Sequence, residues 1–137
     1  MVYNLFISHS WAYANEYERL VNLLDNSWLD WKNYSVPFYC SFDVNNKKRL
    51  REAIHDQMSH ASCVLILAGV YSTYSEWINI EIDIALNDFS KPKKILAIEP
   101  YASQRTSTVV KNAADLIVRW SKSSIASAIE ELCDSYW

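Results

Sequence analysis

Ser62 to Ala68 reads SCVLILA, a short unbroken apolar run closed by Gly69. A run of this length with no polar alternation fits a strand covered on both faces, as in a parallel sheet with helices on each side. Parallel neighbours need a crossover of a dozen or more residues, so the rest of the chain must alternate strand and helix. It does. Val2 to Ile7 (VYNLFI) predicts a first strand ending at Ser8, His9 and Ser10, any of which could cap the next helix. Tyr17, Leu20, Val21, Leu24 and Trp28 recur at helical spacing from Tyr13 to about Asp30. Val36 to Phe42 predicts an edge strand that tolerates Pro37, and Leu50, Ala53, Ile54 and Met58 a second helix. Lys94 to Ile98, stopped by Pro100, gives a fourth strand and Ala114 to Val118 a fifth; Ser123 to Tyr136 closes the chain as a helix. The segment between the last two strands reads as irregular or a short helix. The expected fold is α/β: one domain over 1–137, with a flavodoxin-like, doubly wound, parallel five-stranded sheet in the order 2-1-3-4-5 and helices on both faces.

The crossover rule also decides how SEWINIEIDIAL, Ser75 to Leu86, is to be read. Isoleucines at 78, 80, 82 and 84 alternate with Asn79, Glu81 and Asp83, the period of a half-buried strand. Yet Tyr71 to Lys93 is the only segment that can carry the chain from the third strand to the fourth, so the stretch should be helical. On a helix, 78, 82, 85, 86 and 89 form a stripe for the sheet, Ile80 and Ile84 leave the far side apolar, and Trp77, Glu81 and Ile84 lie along the flank. A carboxylate one turn after an indole, among isoleucines, is poorly solvated and tends toward a raised pKa, and such groups cluster at functional sites. Exposure to water, or pairing with a lysine, is the equally weighted plain alternative.

Composition excludes several functions. The net charge of -3 shows no basic excess for tracking nucleic-acid phosphates, and the basic group Lys47, Lys48, Arg49 and Arg51 reads as a solvated helix start. A single glycine cannot build the GxGxxG fingerprint or a P-loop, each of which needs several. Three widely spaced cysteines, Cys40, Cys63 and Cys133, fit reduced thiols, and with three scattered histidines they offer no metal set; Cys63 is expected to be buried. No apolar run approaches the roughly 20 residues that cross a bilayer, and no signal peptide is evident, so a cytoplasmic location and no membrane partner are expected.

In a sheet of this order, ligands bind beyond the carboxyl ends of the strands where the order reverses. That places Ser8, His9, Ser10 and Trp11 opposite the segment from Gly69 to Trp77, with Asp43 approaching the rim. Serines, aromatics and one acid would meet there.

FISHS at 6 to 10, FYCSFD at 38 to 43, EAI followed by ASCVLIL at 52 to 67, and above all SEWINIE at 75 to 81 resemble the TIR domain, with its S-x-W-x-x-x-E helix. The FISHSW opening is similar to the small stand-alone bacterial TIR-like proteins of Thoeris-type antiphage defence. The resemblance spans nearly the whole chain. It implies cleavage of the nicotinamide–ribose bond of NAD, as substrate and with no further cofactor, with Glu81 at the catalytic position. Trp77 would wall the ribose or stack on a base, or simply pack in the core. Ser8, His9, Ser10 and Trp11 would meet phosphate or nicotinamide, with His9 held more lightly as a capping residue. It implies an ADP-ribose-derived signal, cyclic or conjugated, that reaches an effector by diffusion, with a phage-derived trigger and a homo-oligomer as candidate partners. Two departures stand out. The Asp43–Ala53 segment, matching the BB loop, is short and lacks the usual glycine, which leaves the usual assembly route open; Ile78 stands where a cysteine is frequent. Two other readings remain at this stage: a non-catalytic TIR interaction module, and a nucleoside deoxyribosyltransferase-like enzyme.

Overall fold

The computed structural model describes residues 1–8, 14–36, 47–68, 76–99 and 108–136. Strands β1 (Tyr3–Ile7), β2 (Trp31–Asn33), β3 (Cys63–Leu67), β4 (Lys94–Glu99) and β5 (Leu116–Arg119) alternate with helices α1 (Ala14–Asp25), α2 (Lys47–Ser59), α3 (Glu76–Asn87), α4 (Thr108–Ala113) and α5 (Lys122–Tyr136). The strands pair in the order β2-β1-β3-β4-β5, every pair parallel. The doubly wound architecture expected from the apolar run at Ser62–Ala68 is therefore the one adopted.

Alternation along each central strand sends side chains to two cores, one per face. Leu5, Ile7, Cys63, Leu65, Leu96 and Ile98 pack with Leu20 and Leu24 of α1 and with Ile125, Ile129 and Leu132 of α5. Phe6, Val64, Ile66, Ala68, Ile95 and Ala97 face the other way, against Leu50, Ile54 and Met58 of α2, Ile78, Ile82, Ile84 and Ala85 of α3, and Val110 of α4. Leu50, Ile54 and Met58 succeed each other at four-residue intervals, which keeps one side of α2 on the sheet.

Two boundaries differ most from expectation. The first helix stops at Asp25: the Asn22 carbonyl still accepts the Asn26 N–H at 3.0 Å, but the Leu24 carbonyl accepts the Ser27 N–H at 3.1 Å and the Ser27 hydroxyl at 2.6 Å, a tightened i+3 contact that closes the last turn. Among the described residues the strand beside β1 is Trp31–Asn33, upstream of the expected Val36–Phe42. Tyr3 pairs with Trp31, Asn4 with Lys32 and Leu5 with Asn33. Val36 is buried just past that strand, and 37–42 lie outside the described residues. The apolar lettering of VPFYCSF draws the expectation downstream, whereas short WKN pairs through its backbone.

Cys63 and Cys133 are both buried free thiols. Burial pushes the Cys63 thiol well above its ordinary value, with Cys133 and Asp115 acting in the same direction, and burial followed by Asp134 raises Cys133 to about 12. Both should resist a thiol reagent at pH 8 in the native chain and label together on unfolding in guanidinium. Native labelling of either would contradict their burial.

Candidate active site

The strand order changes direction between β1 and β3, and the site assembles at their carboxyl ends. Ser8 comes directly after β1. Its N–H donates to the Leu65 carbonyl at 2.8 Å, extending the β1–β3 ladder by one rung, and its side chain is fully buried. On the preceding residue, the Ile7 N–H donates to Ser35 Oγ at 3.0 Å. On the neighbouring strand, the Ala68 N–H donates to the Ile98 carbonyl at 2.9 Å, so the end of β3 is also tied down.

The helix that leaves β3 carries Glu81. Counting round α3 at 3.6 residues per turn, the buried arc runs Ile84, Glu81, Ala85, Ile78, Ile82, while Asn79, Asp83, Leu86 and Asn87 face water. Glu81 thus lies within the buried face, not on its flank, and is 0% exposed. Ile84, expected on the far side, is fully buried, and Leu86, expected on the sheet stripe, is exposed. Ile78, Ile82 and Ala85 are buried as expected, but the stripe extends toward Glu81 and Ile84 rather than Leu86, because isoleucines at 80 and 84 make both sides of the helix look apolar.

Across this interface the Ser8 hydroxyl donates to Glu81 Oε1 at 2.8 Å, linking residues 73 apart in sequence. A buried carboxylate is costly unless hydrogen bonds offset the lost hydration, and a hydroxyl donor to a charged oxygen is among the stronger ones. Exposure of Glu81 to water, weighed equally on sequence, is therefore not what the fold provides. Of the other residues expected here, Trp77 stands in the first turn of α3, one turn before Glu81. His9, Ser10, Trp11 and Asp43 lie outside the described residues.

The family model of the Thoeris protein ThsB, TIR-like domain, matches residues 6–105, which include the end of β1, all of α3 and both Ser8 and Glu81. The chain belongs to this family. The Thoeris TIR-like chain thereby joins the TIR domains of antiphage defence. No curated protein matches it. Among solved structures it is similar to the apo form of an NADH:FMN oxidoreductase, at 13% identity and a TM-score of 0.47, with 98% of this chain and 87% of that chain covered.

A second polar group of the TIR-like chain lies apart from Ser8 and Glu81, on the outer surface where α2 meets α3. Arg51 Nη2 reaches Asp83 at 2.9 Å and Asp88 at 3.1 Å, and His55 Nδ1 lies 3.2 Å from Asp88. Hydrogen bonds from Asn87 and then Arg51 hold the Asp83 carboxyl below its ordinary range. The hollow here, about 300 Å³, is lined by Lys48, Arg51, Glu52, His55, Asp56 and Asp88. In the sequence Arg51 reads as part of a solvated helix start. Its acidic partners are more than 30 positions away, so no local spacing announces them. Among the described residues, no group of three or more His, Cys, Asp or Glu could hold a metal ion, and no helix is long and apolar enough to cross a membrane.

Proposed function

We propose that this chain cleaves the bond between nicotinamide and ribose in NAD, with Glu81 as the catalytic carboxylate. One observation carries the reading: the glutamate of the S-x-W-x-x-x-E helix is fully buried at the carboxyl end of the sheet and fastened there by the Ser8 hydroxyl. A module that worked only through surface contacts would gain nothing from burying a carboxylate at that point, since the burial itself costs free energy.

In the reaction the C1′–N bond breaks and nicotinamide leaves with the bonding electron pair. Positive charge then develops on C1′ and the ring oxygen of the ribose. A carboxylate already in place, and not screened by water, stabilises that charge or captures it covalently. Water or a hydroxyl acceptor next bonds to C1′ and loses a proton, giving linear, cyclic or conjugated ADP-ribose. Trp77, His9, Ser10, Trp11 and Asp43 are assigned to the substrate mouth by their places in the matched motifs. NAD is substrate and no separate cofactor is invoked. The product acts as a diffusible signal to an effector, in the cytoplasm, after a phage-derived trigger; self-association is part of the same reading.

Mass spectrometry of small molecules from phage-infected cells tests this. Cells carrying the parent chain should accumulate nicotinamide and an ADP-ribose-derived product, and cells carrying Glu81→Gln should not. Equal accumulation in both would reject the assignment, and nucleoside turnover without NAD loss would favour a deoxyribosyltransferase-like enzyme.

A further inference from the structure

The motif match makes Ser8 a substrate contact, but its hydroxyl is directed at a protein group. Glu81 has three side-chain torsions between its backbone and its carboxylate, so its helix position alone does not fix where the carboxylate stands. The positions beside it on the buried arc of α3, Ile78, Ile84 and Ala85, bring packing and no polar side-chain atom. Ser8 brings a donor whose own place is set by the sheet. Its N–H is bonded to the Leu65 carbonyl at 2.8 Å, Phe6 and Ile7 before it are fully buried, and its Oγ meets Glu81 Oε1 at 2.8 Å. Strand β1 and helix α3 are thereby tied together at the reacting end of the carboxylate, and not through apolar contact alone.

We infer that Ser8 is a positioning residue of Glu81: it contributes to turnover by helping to fix where the carboxylate stands, and not by holding NAD. The inference rests on the reading of Glu81 as the catalytic carboxylate. A charge that must meet a developing cation is effective only within a narrow range of positions, and a misplacement of about 1 Å costs on the order of 100-fold in rate. Removing one oxygen atom from a buried serine leaves the backbone ladder intact, since the bond to Leu65 comes from the main chain.

Three variants of the full chain, Ser8→Ala, Glu81→Gln and the double variant, separate the possibilities. For nicotinamide release from NAD, Ser8→Ala should lower kcat on the order of 100-fold, with KM within about twofold of the parent. In the Glu81→Gln background, adding Ser8→Ala should leave NAD affinity unchanged by calorimetry. A raised KM with kcat preserved, weaker NAD binding in the double variant, or a Ser8→Ala rate equal to the parent's would each overturn the positioning role. Failure of the underlying reading is visible in its own arm, as Glu81→Gln turning over NAD like the parent. If Ser8→Ala loses the cooperative melting transition, Ser8→Cys, which keeps the size of the side chain with a much weaker donor, takes its place under the same criteria.

Discussion

Glu81→Gln is expected to release nicotinamide from NAD at least about 10³-fold more slowly than the parent, a loss of about 4 kcal/mol of transition-state stabilisation. The substitution is nearly isosteric, and its side-chain oxygen can still accept from Ser8, so the packing of α3 through Ile78, Ile82, Ile84 and Ala85 should survive. The negative charge is lost. An amide dipole cannot neutralise a cationic ribose, nor form a covalent ester with it. The size of the effect comes from burial: in a position with no exposure, the charge is not screened by water as it would be on a surface. Chromatographic assay of nicotinamide checks the rate, and an unchanged melting transition checks the fold. A rate within tenfold of the parent would place the chemistry elsewhere.

The second large effect concerns stability. Leu65→Ala is expected to cost about 3–4 kcal/mol, a large part of the roughly 5–15 kcal/mol that holds a domain of ordinary size together. Leu65 is fully buried in β3, with Ile7 on one side and Leu96 on the other, and its side chain enters the core formed with α1 and α5. Both flanking strands are hydrogen-bonded, so the backbone cannot easily close over the cavity left by the deleted carbons. Urea denaturation should show a lower midpoint with an unchanged slope. Because the Leu65 carbonyl receives the Ser8 N–H, loosening β3 also loosens the strand end that positions Glu81. A cost below about 1 kcal/mol would mean that the core collapses around the smaller side chain.

The parts legible in the sequence are those set by local pattern or by chain connectivity. SCVLILA announces a covered central strand, and the need for a crossover then makes SEWINIEIDIAL a helix against its own two-residue lettering. Strand order comes from the same alternation. Pattern fails where backbone pairing or distant contacts decide. The strand β2 has three residues and little apolar signal, so the more hydrophobic stretch downstream outcompetes it as an expectation. Burial of Glu81 is ambiguous in the sequence because isoleucines on two sides of α3 blur which side meets the sheet. The bond between Ser8 and Glu81 joins residues 73 apart, and Arg51 reaches acids equally invisible to local spacing. Motifs single out both Ser8 and Glu81, but only the fold shows that one holds the other.

If Glu81 faces the ribose of NAD at the carboxyl ends of β1 and β3, a crystal structure of Glu81→Gln in complex with NAD will show it most directly. The expected result is the nicotinamide-bearing ribose in contact with the residue 81 side chain, with Ser8 still bonded to that side chain. NAD bound elsewhere, for instance in the charged hollow between α2 and α3, with residue 81 shielded from it, would contradict the account.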